Sequence, residues 1–236
     1  MSSPVKPPAA PRTRRAERAE RTRRRIVEAA TSLFDSRGYA ATTIEAIAEQ
    51  ADVAAETVYS RFRTKANLLD AILEPAIVGV TDGRDLFNLP EIAEIRQCTD
   101  QRAQVRMLAR FSRGILQRTA VAHRILRSAA ATDQTAAELQ RQDARRRADG
   151  QRAYIQMLLA NGPLRDGLTA GDAAGTYSAL SNPSTYALLT AERGWNPDKF
   201  ERWLGDSLTL LLLRSSAARH HSPAAAPRMP TPSASN

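Results

Sequence analysis

The fold is decided by residues 42–73, which read TTIEAIAEQADVAAETVYSRFRTKANLLDAIL. In the first part of this stretch, apolar residues recur at the spacing of one helix face, namely Ile44, Ile47, Ala48 and Ala51. This spacing predicts a short amphipathic helix with one buried face, followed by a break at residues 52–53.

A second short segment, residues 54–62, has two different sides. Val58 and Phe62 are four residues apart and share an apolar side. The residues that point away from this pair are Ala55, Thr57, Tyr59, Ser60 and Arg61. Two short helices joined by a tight turn, the second with a polar face, are typical of a helix-turn-helix whose second helix lies in the DNA major groove.

The sequence here resembles the TetR family of transcriptional regulators. The matching positions are Gly38, Tyr39, Thr42, Thr43, Ile47, Ala48, Ala51, Val53, Thr57, Val58, Tyr59, Phe62, Lys65, Leu68 and Leu69. Ala54 and Glu56 depart from the family pattern, which usually has Ser and a small residue there. The resemblance implies an all-α fold, with an N-terminal three-helix helix-turn-helix domain and a C-terminal helical bundle for dimerisation and effector binding.

Three residues at helix starts have alternative interpretations. Thr42 with Glu45 fits a capping box, but Thr43 fits a helix cap equally well. The resemblance favours Thr43 as a DNA backbone contact. Lys65 opens the fourth helix, where the helix dipole disfavours a cation, so a bound phosphate is expected there. The predicted DNA-binding residues are Thr43, Ala55, Thr57, Tyr59, Ser60, Arg61 and Lys65.

Positive charge is concentrated at the start of the 236-residue chain, whose net charge is +9. Residues 1–25 hold nine Lys and Arg against two Glu, whereas residues 26–80 hold four against eight acids. Because phosphate neutralisation drives much of DNA affinity, residues 1–20 are expected to form a disordered basic arm that contacts the DNA backbone. Its predicted contacts are Arg14, Arg15, Arg18 and Arg21. The alternative is a solubilising tail.

Helical patterns continue through the rest of the chain. We predict a DNA-binding domain at 21–80, a dimerisation and effector domain at 81–214 and a disordered tail at 215–236. The predicted C-terminal helices are residues 91–97, 102–119, 121–148, 151–160, 172–180, 184–192 and 198–214.

The last two helices are the expected dimer surface. The final helix is apolar nearly all round, so one face can pack inward while a twofold-related copy covers another. The resemblance implies the same pairing, since family members dimerise through their last two helices. The predicted interface residues are Tyr186, Leu189, Phe200, Trp203, Leu204, Leu208 and Leu211. A central core helix is the alternative interpretation.

Effector binding is expected from the resemblance alone. Soft or aromatic side chains on the middle helices are candidates for the effector pocket, although residues at helical spacing are more often plain core. These candidates are Met107, Phe111, Tyr154 and Met157.

Catalysis, metal binding and membrane insertion have no support in the sequence. Cys98 is the only cysteine, which excludes an internal disulfide and fits a reducing, cytoplasmic location. The three histidines show no metal-ligand spacing, and no catalytic constellation or cofactor motif stands out. No apolar run approaches the roughly 18 residues of a membrane span.

The sequence therefore predicts a repressor and not an enzyme. It is expected to bind a pseudo-palindromic double-stranded DNA operator as a homodimer and to be released by a small-molecule effector. The alternative is an architectural DNA-binding protein that takes no ligand.

Overall fold

The structure is a computed structural model that describes residues 11–78 and 89–214. Its helices are α1 Pro11–Arg37, α2 Ile44–Gln50, α3 Ala55–Phe62, α4 Lys65–Val78, α5 Pro90–Gln97, α6 Gln101–Ala130, α7 Gln134–Ala160, α8 Ala170–Leu180, α9 Pro183–Ala187 and α10 Pro197–Leu212. A π-helical turn, Leu188–Glu192, continues α9. The extended pairing in the described residues is one isolated antiparallel bridge between Leu164 and Leu213. The all-α prediction is confirmed.

Two hydrophobic cores organise the helices. The first core is built from the apolar faces of α1 to α4, and the second from α5 to α10. However, Ile125, Leu126 and Ala129 near the end of α6 are buried in the first core, together with Ala136 at the start of α7. The α6–α7 turn therefore packs against α1 to α4, and α6 belongs to both cores.

The boundaries of α6 and α7 differ from the sequence prediction. Instead of breaks after Thr119 and Ala148, α6 runs without interruption to Ala130, and α7 runs from Gln134 through Gly150. The chain turns at Asp133, whose carboxylate accepts a hydrogen bond from the backbone N–H of Ala136 at 3.0 Å. An aspartate N-cap stabilises a helix start, whereas one glycine inside a long helix costs only about 1 kcal/mol.

The basic arm is also different from the prediction. Residues 11–20, expected to be disordered, form the start of α1. Arginine, alanine and glutamate are good helix formers, and proline is well tolerated in the first turn of a helix, so this segment extends the helix. The predicted disorder of residues 1–10 and 215–236 lies outside the described residues.

Candidate nucleic-acid interface

The start of α2 settles the choice between the two threonines. Thr43 is the N-cap, and its hydroxyl oxygen accepts a hydrogen bond from the backbone N–H of Ala46 at 3.1 Å. Thr42 is buried instead, and its hydroxyl donates to the carbonyl oxygen of Gly38 at 2.8 Å. The capping box of Thr42 with Glu45 is therefore absent. Thr43 is exposed beside the N-terminus of α2, where backbone N–H groups favour an anion.

The turn between α2 and α3 is fixed by an arginine of α1. Asp52 has a positive φ of 50°, which reverses the chain direction between the two helices. Arg25 donates to the Asp52 carboxylate at 2.9 Å and to its carbonyl oxygen at 3.0 Å. This contact attaches α1 to the helix-turn-helix, so Arg25 has a structural partner within the domain.

Helix α3 presents the predicted polar face to solvent. Val58 is fully buried and Phe62 nearly so, while the side chains opposite them, Tyr59, Ser60 and Arg61, are exposed. Thr57 is half-exposed. Ala55 was predicted to share this face, but it is half-buried and packs against the first core. The exposed residues form a surface about two helical turns long that fits a DNA groove.

Tyr59 is held across the two helices in the absence of DNA. Its hydroxyl donates to the Glu45 carboxylate at 3.2 Å, and this hydrogen bond raises the pKa of Tyr59. The pKa of Glu45 is lowered, first by its own backbone hydrogen bond and also by Tyr59. Both side chains are exposed, Tyr59 at 47%, so water or DNA can readily replace this contact. The pair could not be predicted from the sequence, because it joins residues of two different helices.

Lys65 was predicted to contact a DNA phosphate, but its side chain contacts the protein's own backbone. Its ammonium donates to the carbonyl oxygens of Tyr39 at 2.8 Å and Thr42 at 2.9 Å, and lies 4.3 Å from the centroid of the Tyr39 ring. Burial lowers the pKa of Lys65, while Asp133 acts in the opposite direction. The loop carbonyls therefore supply the negative partner that a phosphate was expected to supply, and Lys65 stabilises the loop before α2.

The predicted backbone-contacting arginines lie along α1. Arg14, Arg18, Arg21 and Arg25 recur every three or four residues and so share one side of the helix, while Arg15 lies next to that side. All five are exposed. Arg25 contacts the turn between α2 and α3. The other arginines on its side of α1 therefore form a row that begins near this turn and runs toward the N-terminus of the helix.

A polar contact, here called the interdomain contact, joins the DNA-binding domain to the α6–α7 turn. The Tyr39 hydroxyl donates to the Asp133 carboxylate at 2.7 Å. This hydrogen bond is the main reason that the pKa of Asp133 is lowered, whereas the pKa of Tyr39 is raised mainly by burial. An ion pair between Asp35 of α1 and Arg124 of α6 lies nearby in the fold. The α6–α7 turn is thereby attached to the loop before α2.

A cavity of about 320 Å³ lies between α6, α7 and α8. Of the four predicted effector residues, Phe111 and Tyr154 line it, with ring centroids 6.0 Å apart. Tyr177, which was not predicted, adds a third ring 6.2 Å from Tyr154. Met107 lines another cavity beside α5, and Met157 packs against the second core. The four predicted residues therefore do not form one site.

A buried charged cluster forms part of the cavity wall. Asp143 is only 1% exposed, and its carboxylate faces His123 Nε2 at 3.1 Å and Arg147 Nε at 2.9 Å. Burial raises the pKa of Asp143, but the hydrogen bonds and charges of its two partners outweigh burial and hold the pKa below its ordinary value. The sequence placed His123 alone on a helix, because its partner lies 20 residues away on α7.

Most of the predicted dimer residues are part of the chain's own core. Four of them are buried in the second core, namely Tyr186, Phe200, Leu204 and Leu208. Trp203 and Leu189 are partly buried against that core. Leu211 is 38% exposed, Leu210 beside it is 73% exposed, and Leu188 in the π-helical turn is 42% exposed. The unpartnered apolar surface is therefore narrower than the sequence predicted.

Among the described residues, no cluster of three or more His, Cys, Asp or Glu side chains is arranged to hold a metal ion. Within residues 11–78 and 89–214, no helix combines the length and apolar character needed to cross a bilayer.

The geometry of α1 to α3 is that of a helix-turn-helix, and comparison with known proteins shows which family this region resembles. Residues 26–72 match the sequence model of the family "Bacterial regulatory proteins, tetR family". An uncharacterised HTH-type transcriptional regulator of Bacillus subtilis, YvkB, is 42% identical over 52 residues, which cover 22% of this chain and 28% of that protein. The resemblance to the TetR family predicted from the sequence is confirmed over residues 26–72.

Solved structures extend the likeness to the whole fold. A protein from Mesorhizobium loti assigned to the TetR-family regulators is similar with a TM-score of 0.63 at 20% identity, covering 84% of this chain and 99% of that one. A protein from Saccharomonospora viridis assigned as a transcriptional regulator, in complex with choline, has a TM-score of 0.62 at 22% identity, covering 82% and 98%. At these identities the likeness concerns the fold alone.

Proposed function

We propose that this protein is a transcriptional repressor that binds a pseudo-palindromic DNA operator as a homodimer and is released by a small molecule. The observation that carries the proposal is the two-sided α3, on which Tyr59, Ser60 and Arg61 are exposed while Val58 and Phe62 are buried. A recognition helix needs both properties, because the base-reading side chains must be held rigidly by a packed domain. The protein is then a cytoplasmic transcription factor and not an enzyme.

DNA affinity is expected to come from α1 as well as α3. The helix-turn-helix region carries more acidic than basic residues, so the exposed arginines at the start of α1 must supply much of the attraction to phosphate. In this arrangement α3 reads the bases, Thr43 contacts the backbone and the arginine side of α1 follows the phosphates.

Dimerisation is proposed to use the exposed apolar residues Leu188, Leu210 and Leu211. A second copy would cover this surface through a twofold axis, which presents the same residues on both subunits. The two α3 helices would then face successive major grooves, and the operator half-sites would be about 10 base pairs or a multiple apart.

Release by a small molecule is supported by the position of the cavity. Helices α6 and α7 form its wall, and the turn between them makes the interdomain contact with Tyr39. The likeness to a regulator in complex with choline supports a ligand-binding C-terminal domain. An architectural DNA-binding protein would need no cavity with buried polar groups, so the repressor is the better interpretation.

The test begins with selection of bound sequences from a random pool of DNA duplexes by the full chain. We expect an enriched motif with twofold symmetry, bound by two chains per duplex in sedimentation. Arg61→Ala should weaken binding of this motif, while Arg141→Ala, which removes the same charge from an exposed site on α7, should not. Selection that enriches no motif, or equal effects of the two variants, would contradict sequence-specific reading by α3.

A further inference from the structure

Gln151 of α7 has an unusual environment in the cavity wall. The residue is 7% exposed, and its side-chain Nε2 donates to the hydroxyl oxygen of Ser181 at 3.1 Å. Its Oε1 is buried and has no hydrogen-bond partner among the described residues. A buried acceptor without a donor is unfavourable and therefore requires an explanation, such as a ligand that supplies the donor.

The orientation of the Gln151 amide follows from the neighbouring hydrogen bonds. The Ser181 hydroxyl donates to the carbonyl oxygen of Tyr177 at 2.7 Å. Because its proton is used there, Ser181 Oγ can only accept from Gln151, and it must therefore face the NH₂ group. The Oε1 atom of Gln151 therefore points away from Ser181, and no donor among the described residues reaches it.

Three hydroxyl groups in the same wall have no proton to offer a ligand. Ser112 donates to the carbonyl oxygen of Leu108 at 2.7 Å, so the contact of 2.6 Å between Ser112 and Tyr177 is donated by the tyrosine. Burial raises the pKa of Tyr177, which keeps its phenol protonated. The hydroxyls of Ser112, Tyr177 and Ser181 are thus all engaged as donors within the protein, and this part of the wall offers an acceptor.

The remaining wall is partly apolar and disfavours a cationic ligand. Phe111, Ile115 and Leu116 contribute apolar surface. Asp143 is already neutralised by Arg147, so it gives a cationic ligand little attraction, while the exposed Arg146 repels one. An anionic group placed at Gln151 would face the Oε1 lone pairs, which is unfavourable.

We propose that this cavity binds a neutral, mainly apolar molecule that carries one N–H or O–H donor, and that Gln151 Oε1 accepts its hydrogen bond. Phenols and indoles have this chemistry. The inference rests on the proposed function, because it specifies the class of effector that the repressor responds to.

The experiment uses two pairs of probes that differ only by a methyl group on the donor atom. They are 2-naphthol with 2-methoxynaphthalene, and indole with 1-methylindole, each titrated calorimetrically into the full chain without DNA. We expect the donor member of each pair to bind about tenfold more tightly than its methylated partner. In Gln151→Met, which keeps the side-chain length without the acceptor, the difference should fall below about twofold.

Two further variants separate recognition from folding. Gln101→Met removes hydrogen bonds to the carbonyl oxygens of Leu158 and Gly162, away from the cavity wall, and should keep the tenfold preference. Ser181→Ala frees the Gln151 amide to turn and present its NH₂ group, so the preference should decrease even if Gln151→Met folds poorly. Circular dichroism verifies that each variant is folded.

Three results would overturn the inference: equal affinities within both pairs, a preference that survives in Gln151→Met, or no binding of any probe up to its solubility limit. Because the titrations contain no DNA, they are independent of the proposed function. Selective binding of donor probes by a chain that still holds its operator would refute effector release and leave the ligand site intact.

Discussion

The interdomain contact should measurably couple the two cores, and the pair Tyr39→Phe and Asp133→Ser tests this. Tyr39→Phe removes only the hydroxyl, since the ring can keep its packing 5.1 Å from Phe34 and its position beneath the Lys65 ammonium. Asp133→Ser removes the carboxylate that accepts from Tyr39, and serine remains a good N-cap for α7.

The expected size of the coupling follows from the geometry. A hydrogen bond to a charged group contributes about 1.5–3 kcal/mol when it is well buried. Tyr39 is 3% exposed, but Asp133 is half-exposed and can recover part of the loss from water. We therefore expect a coupling free energy of about 1–2 kcal/mol between the two positions.

Urea unfolding of the wild type, both single variants and the double variant gives this coupling free energy as a double-mutant cycle. Tyr59→Phe serves as the matched control, because it removes a phenol that contacts a carboxylate at an exposed site, and it should leave the urea unfolding midpoint unchanged. A cycle that closes within about 0.5 kcal/mol of zero would show that Tyr39 and Asp133 act independently and would refute the reasoning.

Four other outcomes are expected. Arg61→Ala should cost about 1–3 kcal/mol of operator affinity, measured by fluorescence anisotropy, with an unchanged unfolding midpoint. Phe62→Ala should instead cost about 3–5 kcal/mol of stability in urea, because it leaves a cavity beneath α3. Leu211→Asp should give monomers in sedimentation and lose operator binding, and a dimer that persists would place the interface elsewhere. Because folding lowers the pKa of Asp143, its carboxylate stabilises the folded protein at pH values above the ordinary carboxyl pKa near 3.9. This stabilisation is lost as the pH falls through the lower pKa of the folded state. Asp143→Asn should therefore make the free energy of unfolding less dependent on pH in the acid range.

Local sequence patterns predicted the helix-turn-helix well. The spacing of Val58 and Phe62 correctly assigned the buried side of α3, because a short helix on a small core has only one face that can be buried. In α10, apolar spacing led to the wrong prediction for Phe200, Leu204 and Leu208. They were expected in the dimer interface, but they are buried in the chain's own core. In α10 apolar residues surround most of the helix, so periodicity does not distinguish the face that packs inward from the face that remains exposed.

Long-range contacts were beyond the sequence. The role of Lys65 depends on two carbonyl oxygens that meet only when the loop before α2 is folded. Likewise, His123 and Asp143 become partners through the register between α6 and α7, and nothing in their local sequence indicates it. Charged residues gave the least reliable predictions because their partners come from other elements.

Helix α6 explains how a ligand and an operator could compete. Phe111 lines the cavity, and Ile125, 14 residues further along the same helix, is buried in the core of the DNA-binding domain about 21 Å away. A tilt of about 5° over that length moves the distant end by about 2 Å, which is enough to break a hydrogen bond of 2.7 Å between Tyr39 and Asp133. If that bond contributes about 1–2 kcal/mol and is present only in the operator-bound orientation of α6, a bound ligand changes the operator affinity by about 5- to 30-fold. This factor is within the usual range of allosteric coupling. A cavity that binds a ligand without disturbing α6 would leave the operator bound, so the orientation of this one helix decides whether the two sites oppose each other.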